Sequence, residues 1–168
     1  YQLWLSKNDL GGLPEMYLES AKMAAKAKNR PEEWLVTLQM PSIFPFMKFS
    51  TRRDLREKLS IAMGSKCTLG EFDNRNIIKQ IVDLNHRRAQ ILGYDNYADF
   101  ILEKRMAKDR KTVMSFLDDL YDNSYEVAKQ EVEDLKRFAK ETDGVDNFRT
   151  WDVAYYTEKL KKQLFDLD

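Results

Sequence analysis

The sequence predicts a mostly α protein of about six helices, one of them about 30 residues long, with at most one short strand. Three observations carry that prediction. Apolar residues recur at three- and four-residue spacing along most of the chain. The periodic stretches are punctuated by Pro, Gly, Thr, Asn and Asp where helices start and stop. Only one stretch, "EWLVTLQM" from Glu33 to Met40, concentrates Trp, Val and Thr between two prolines, Pro31 and Pro41, as a short extended segment does.

The elements follow in order. Pro14 suits a first helical turn, and Leu18, Ala21 and Ala25 then keep helical spacing, so Pro14 to Lys28 is expected as a helix. Thr51 with Asp54 three residues on resembles a capping box. Leu55, Leu59 and Ala62 supply a stripe and Gly64 a stop, which sets a helix from Arg52 to Met63. In "NIIKQIVDLNHRRAQILG", Ile77, Ile81, Leu84 and Ile91 define one side, and Ile78, Val82, Ala89 and Leu92 widen it, as a helix touching two neighbours requires. Gly93 ends it. Asp95 or Asn96 can cap the next helix, whose buried face is expected to hold Tyr97, Phe100, Ile101 and Met106. After Asp109 the longest pattern begins, running through Val113, Phe116, Leu117, Leu120, Ser124, Val127, Ala128, Leu135, Phe138 and Ala139 to Gly144 without Gly or Pro. It predicts one helix of about 30 residues, roughly 45 Å long. A last helix, with Thr150 as a cap and Trp151, Ala154, Tyr155 and Leu164 as its apolar positions, closes the chain.

Composition narrows the function. A chain of 168 residues that is 43% hydrophobic has the means to bury a core. Its 28 Lys and Arg balance 28 Asp and Glu, so no net field attracts nucleic acid or an anionic membrane, and neither is expected as a partner. Cys67 stands alone, which excludes an intrachain disulfide and makes the cytoplasm the expected compartment. No apolar run approaches the roughly 18 residues of a membrane span, and the N-terminus lacks the order of a signal peptide. Starting at Tyr1 and stopping at "FDLD", the chain is expected to be part of something longer.

Residues able to do chemistry are few. His86 sits beside Arg87 and Arg88, off the Ile77 and Ile81 stripe, and reads as a solvated side chain. Asp83 and His86 have the spacing of a carboxylate and histidine ligand pair, but a di-metal bundle needs that pair twice and there is no second His. A Cys67 and His86 nucleophilic pair would need proximity and an orienting group. Glu131 with Glu133, and Asp118 with Asp119, belong to the polar side of the long helix. "MGSKCTLG" has neither of the phosphate-loop glycine spacings, so Gly64 and Gly70 read as punctuation. Among the aromatics, "WDVAYY" could line a groove and "FPFMKF" could present Phe44, Phe46 and Phe49 to a partner, although helical spacing accounts for most of them as packing.

Four stretches carry a family resemblance: "LGGLPE" (Leu10 to Glu15), "TRRDLREKL" (Thr51 to Leu59), "LGYDNYADFILEKRMAK" (Leu92 to Lys108) and "WDVAYYTEKLKKQLFDLD" (Trp151 to Asp168). In this order they resemble consecutive landmarks of the thimet oligopeptidase group of zinc metallopeptidases, most of all its bacterial peptidyl-dipeptidase and oligopeptidase A branch. The resemblance implies a segment of a helical zincin whose two lobes flank a channel that admits short peptides. It also implies a zinc ion held by the two His of H-E-x-x-H and a later Glu, with the Glu inside the motif activating water. This sequence contains no H-E-x-x-H and one His, and the family's motif lies C-terminal to the last landmark.

No catalytic or metal residue is therefore assigned to residues 1–168, which are expected to form a single helical segment N-terminal to the zinc-binding motif. That segment is expected to bind no zinc and to be inactive alone. Its expected partners are the remaining part of the same polypeptide and, for the parent enzyme, short peptides. Trp151, Tyr155 and Tyr156 are candidates for the channel wall without an assigned role. The alternative is a free-standing helical interaction domain without catalysis.

Overall fold

The structure, a computed structural model, describes residues 1–165. Asp166 to Asp168, the end of the fourth landmark stretch, lie outside the described residues. The fold is mostly helical, as predicted, and divides into two compact units. One comprises Tyr1–Lys66 together with the chain from Val132 on, and the other comprises Cys67–Glu131.

The first unit begins with strand β1 (Gln2–Leu5), which pairs antiparallel with β2 (Trp34–Thr37), Gln2 opposite Thr37 and Leu5 opposite Trp34. Helix α1 (Glu15–Lys26) lies between them in sequence and packs on β2. Pro14 immediately precedes α1 rather than lying inside it. The predicted strand is β2. β1 is an addition to the expectation, because it lacks the flanking prolines and the Val and Thr that marked β2.

Helix α2 (Met40–Phe49) is the second addition. Its two prolines argue against a helix on paper, but Pro41 sits in the first turn, where a missing N–H costs nothing, and burial of Ile43 and Phe46 outweighs the interior Pro45. Phe46 is fully buried and Phe49 half-buried, so of the three phenylalanines only Phe44 is presented outward.

Helix α3 (Arg53–Gly64) follows. Thr51 does not cap it, because its N–H and hydroxyl both donate to the Gly11 carbonyl, at 3.0 and 3.2 Å. Gly64 does not act as the stop expected of it. It is the last helical residue, with no left-handed φ, and Cys67 takes the positive φ of 57° beyond it. The core of this unit joins Leu5, Tyr17, Val36, Phe46 and Leu59.

In the second unit α4 (Arg75–Ile91) is followed by Gly93 at φ 86°, and Asn96 caps α5 (Tyr97–Leu102), its Oδ1 accepting the Asp99 N–H at 3.0 Å. Met106 was expected on the buried face of α5, but that helix ends at Leu102 and Met106 is 100% exposed. Helix α6 (Arg110–Asp143) is 34 residues long and unbroken at Asn123 and Ser124, whose side chains donate to carbonyls one turn back. It starts in the second unit and ends in the first.

Helix α7 (Thr150–Phe165) completes the first unit. Thr150 is its first residue rather than its cap, and the Asp152 carboxylate accepts the Arg149 N–H at 3.0 Å instead. Its buried residues are Asp152 and Tyr156. Trp151, Ala154 and Tyr155 are half-buried, and Leu164 points outward.

Candidate functional site

Three of the four landmark stretches converge in the first unit. "LGGLPE" is held against "TRRDLREKL" through Gly11 and Thr51, and "TRRDLREKL" on α3 is held against "WDVAYY" on α7 through Arg53, Arg56 and Asp152. The fourth, "LGYDNYADFILEKRMAK", belongs to the second unit.

Arg56 lies on the same side of α3 as Leu59 and Met63, at three- and seven-residue spacing, and this carries it into the core, where it is buried. Its Nη2 donates to Asp152 Oδ1 at 3.1 Å, Nη1 to the Ser50 carbonyl at 2.6 Å and Nε to the Trp151 carbonyl at 3.2 Å. The guanidinium also stacks over the Tyr155 ring, 4.1 Å from its centroid. Arg53 grips the same carboxylate with two parallel bonds, Nε to Oδ1 at 2.9 Å and Nη2 to Oδ2 at 2.7 Å. Burial pushes the Asp152 carboxyl up, but the bonds from Arg53, the Arg149 N–H and Arg56 outweigh it and leave it below the usual carboxylate range.

One turn along α7, the Tyr156 hydroxyl donates to Asp143 at 3.0 Å and Lys159 Nζ approaches both Asp143 oxygens, at 2.7 and 2.9 Å. The Lys159 bond is the main reason Asp143 titrates low, and burial is the main reason the Tyr156 phenol titrates high.

Beside this junction opens a cleft of ≈ 490 Å³, bordered by Gly12, Pro14, Lys48, Tyr155, Glu158 and Lys159, with Lys48 and Glu158 paired at 3.1 Å. A second, more apolar cleft of ≈ 510 Å³ lies among Pro14, Tyr17, Leu35, Pro45 and Phe49. The first cleft presents a tyrosine ring and lysine side chains, and the second presents mainly apolar side chains. Asp143 and Asp152 are both held ionised by cations, which suits a scaffold and leaves neither poised to deliver a proton.

Of the aromatic candidates, Tyr155 borders the first cleft. Tyr156 does not line a surface: it is 2% exposed, packed against Phe138, Phe148 and Tyr155. Trp151 is half-buried, its ring 5.9 Å from the Arg53 guanidinium. Sequence reasoning missed Arg53, Arg56 and Asp152. The available signal was a pair of charged residues on apolar helix faces, Arg56 with Leu59 and Met63, and Asp152 with Tyr156.

The other candidates take no part in the hydrogen bonds of this junction. His86 and Asp83 are exposed on α4, and Cys67 is an exposed free thiol. Asp118, Asp119, Glu131 and Glu133 are exposed on α6, Glu133 paired with Lys136 at 2.7 Å. Gly70 opens a short 3₁₀ turn at φ 68°. Among the described residues no group of three or more His, Cys, Asp and Glu side chains could hold a metal ion, so these residues do not fit the three-ligand zinc site that the resemblance implies. No helix among the described residues is long and apolar enough to cross a membrane.

A model of peptidase family M3 matches residues 46–168. Oligopeptidase A of Escherichia coli (strain K12) is 37% identical over 164 residues, which cover 95% of this chain and 24% of that protein. The organellar oligopeptidase A of Arabidopsis thaliana, chloroplastic and mitochondrial, is 33% identical over 175 residues, covering 99% and 22%. Dipeptidyl carboxypeptidase of Escherichia coli (strain K12) is 28% identical over 160 residues, covering 95% and 24%. The chain thus spans about a quarter of the length of these relatives.

Proposed function

The chain belongs to peptidase family M3, and from that membership we propose that it is a scaffold and channel-wall segment, N-terminal to the zinc-binding motif, of a zinc metallopeptidase that hydrolyses short peptides. The observation that carries this reading is the alignment itself, in which nearly the whole chain is matched by about a quarter of each relative. The donor set supports it as well: with one imidazole and one thiol, the chain needs ligands from elsewhere in a longer polypeptide to hold zinc. Zinc would supply an activated water at those ligands. The part of this chain is to hold α7 rigidly through Arg53, Arg56 and Asp152, and to offer Tyr155 and its neighbouring lysines as wall. The cytoplasm is the proposed compartment, on the strength of the unpaired Cys67.

The experiment compares the 168-residue chain with the longest polypeptide that its reading frame encodes. Each is incubated with a short fluorogenic peptide, with and without a chelator, and bound metal is measured. Chelator-sensitive turnover and stoichiometric zinc are expected from the longer polypeptide and from it alone. Turnover by the 168-residue chain at a similar rate would overturn the reading, and a stop codon soon after Asp168 would favour the free-standing interaction domain.

A further inference from the structure

The two units differ in what they bury. Of the residues that are buried among those described, only Ala89 lies between Cys67 and Glu131, and every other one belongs to the first unit. Helix α4 shows why. Ile77, Ile81, Leu84 and Ile91 form one apolar side, 51 to 85% exposed, and Ile78 and Val82 extend it round the helix with similar exposure. At 100° per residue these positions and Leu92 span about half of the circumference, whereas a helix that rests on one neighbour needs an arc of roughly 100°. Within its unit α4 packs on α5, where the Arg88 guanidinium lies 5.3 Å from the Phe100 ring.

The part of α6 in the same unit repeats the pattern. Phe116, Leu117, Leu120, Tyr121 and Val127 are exposed along one face, while Asp118, Asp119, Asp122 and Glu126 occupy the opposite one. There is no extensive packing between α4 and α6 that would cover either face. Exposed apolar surface on this scale is the mark of an interface, because a soluble monomer exposes contiguous patches of only a few hundred Å².

We propose that the broad face of α4 and the 113–128 face of α6 form a docking surface for the remaining polypeptide of the longer peptidase, which supplies the core that residues 67–131 lack. The inference rests on the segment reading above. The occupant follows from length: the relatives carry roughly three times as much additional chain as this one provides, covalently joined and therefore present at high effective concentration. The polar side of α6, with its run of acids, remains toward water.

Hydrogen exchange of the 168-residue chain and of the longer polypeptide tests this. Amides of residues 77–92 and 113–128 are expected to exchange at least about 100-fold more slowly in the longer form. Ile81→Asp and Leu120→Asp are expected to remove that protection and lower the melting temperature of the longer form, while leaving the melting of the 168-residue chain nearly unchanged. Glu126→Gln, on the polar side of α6, is the control and should change neither. Equal exchange in the two forms would overturn the proposal. So would protection of the 168-residue chain that rises with its concentration to the level of the longer form, since a second copy would then be the occupant. A longer form with chelator-sensitive peptidase activity but unprotected helices would sink this inference and spare the proposed function, whereas protection without activity would do the reverse.

Discussion

The Arg56 guanidinium and the Asp152 carboxylate, 96 residues apart in sequence, meet at 3.1 Å with both side chains almost wholly excluded from water. A buried pair of this kind is held by its full set of hydrogen bonds, here completed by Ser50, Trp151 and Arg53. Removing one partner strands the other charge, which costs more than the pair contributes.

Asp152→Asn is therefore expected to destabilise the fold by about 3–5 kcal/mol, because it leaves Arg56 buried without a counter-charge. Arg53→Ala, at a side chain with one edge in water, is expected to cost about 1–2 kcal/mol. Urea denaturation of both variants checks the ranking, and equal losses would contradict it.

Acid sensitivity follows from the same carboxylates. Asp152 and Asp143 titrate below their ordinary value of 3.8, so near that pH the unfolded chain binds more protons than the folded one. Their stabilisation is complete well above 3.8 and is lost as pH falls through the lower folded values, in the range from about pH 5 downward. Chemical denaturation at stepped pH should show stability falling over this window. The slope should flatten in a doubly substituted Asp143→Asn, Asp152→Asn protein.

Tyr17 gives the alkaline counterpart. Burial pushes its phenol up to about 12, and its hydroxyl donates to the Ser42 carbonyl at 2.8 Å. Its contribution is complete below pH 10 and is lost as pH rises toward the folded value. In an ultraviolet titration of the folded protein, Tyr17→Phe should leave the absorbance change near pH 10 intact and remove amplitude near pH 12. It should also cost about 1 kcal/mol at neutral pH through the lost hydrogen bond.

Glycine substitutions should divide by backbone geometry. Gly12 has φ 80°, and a Cβ there would stand 2.2 Å from the Phe49 carbonyl oxygen, so Gly12→Ala is expected to cost at least 2 kcal/mol, roughly. At Gly64, the last residue of α3, an added Cβ meets nothing within 4 Å, and Gly64→Ala is expected to stabilise by about 0.5 kcal/mol. Thermal melting of the two variants should move in opposite directions.

The phenylalanines of α2 provide the last contrast. Phe46→Ala should cost about 3–5 kcal/mol, since the side chain is wholly buried. Phe44→Ala should change stability by less than about 0.5 kcal/mol, because the ring is mostly in water. Equal effects would mean that Phe44 is covered in solution.

Most helices were legible because a helix is a local object. Its hydrogen bonds join residues four apart, so the spacing in α1, α3, α4 and α6 and the cap at Asn96 sufficed to find them. The same periodicity marked the apolar side of α4, but a period tells which residues share a face and nothing about what lies against it. Ile77 and Ile81 therefore carry the pattern of a core while standing in water.

Family membership and the shortage of metal ligands were likewise properties of the sequence alone, being matters of residue order and count. Tertiary structure decided the rest. β1 exists because β2 lies beside it, α2 is helical because Phe46 gains more by burial than Pro45 loses, and Thr51 leaves α3 uncapped to bond Gly11. Arg56 and Asp152, which local rules assign to the surface, are drawn inside because each finds its opposite charge there. The partner is some 96 residues away, and the Coulomb and hydrogen-bond energy that decides their burial exists only once α3 and α7 are packed together.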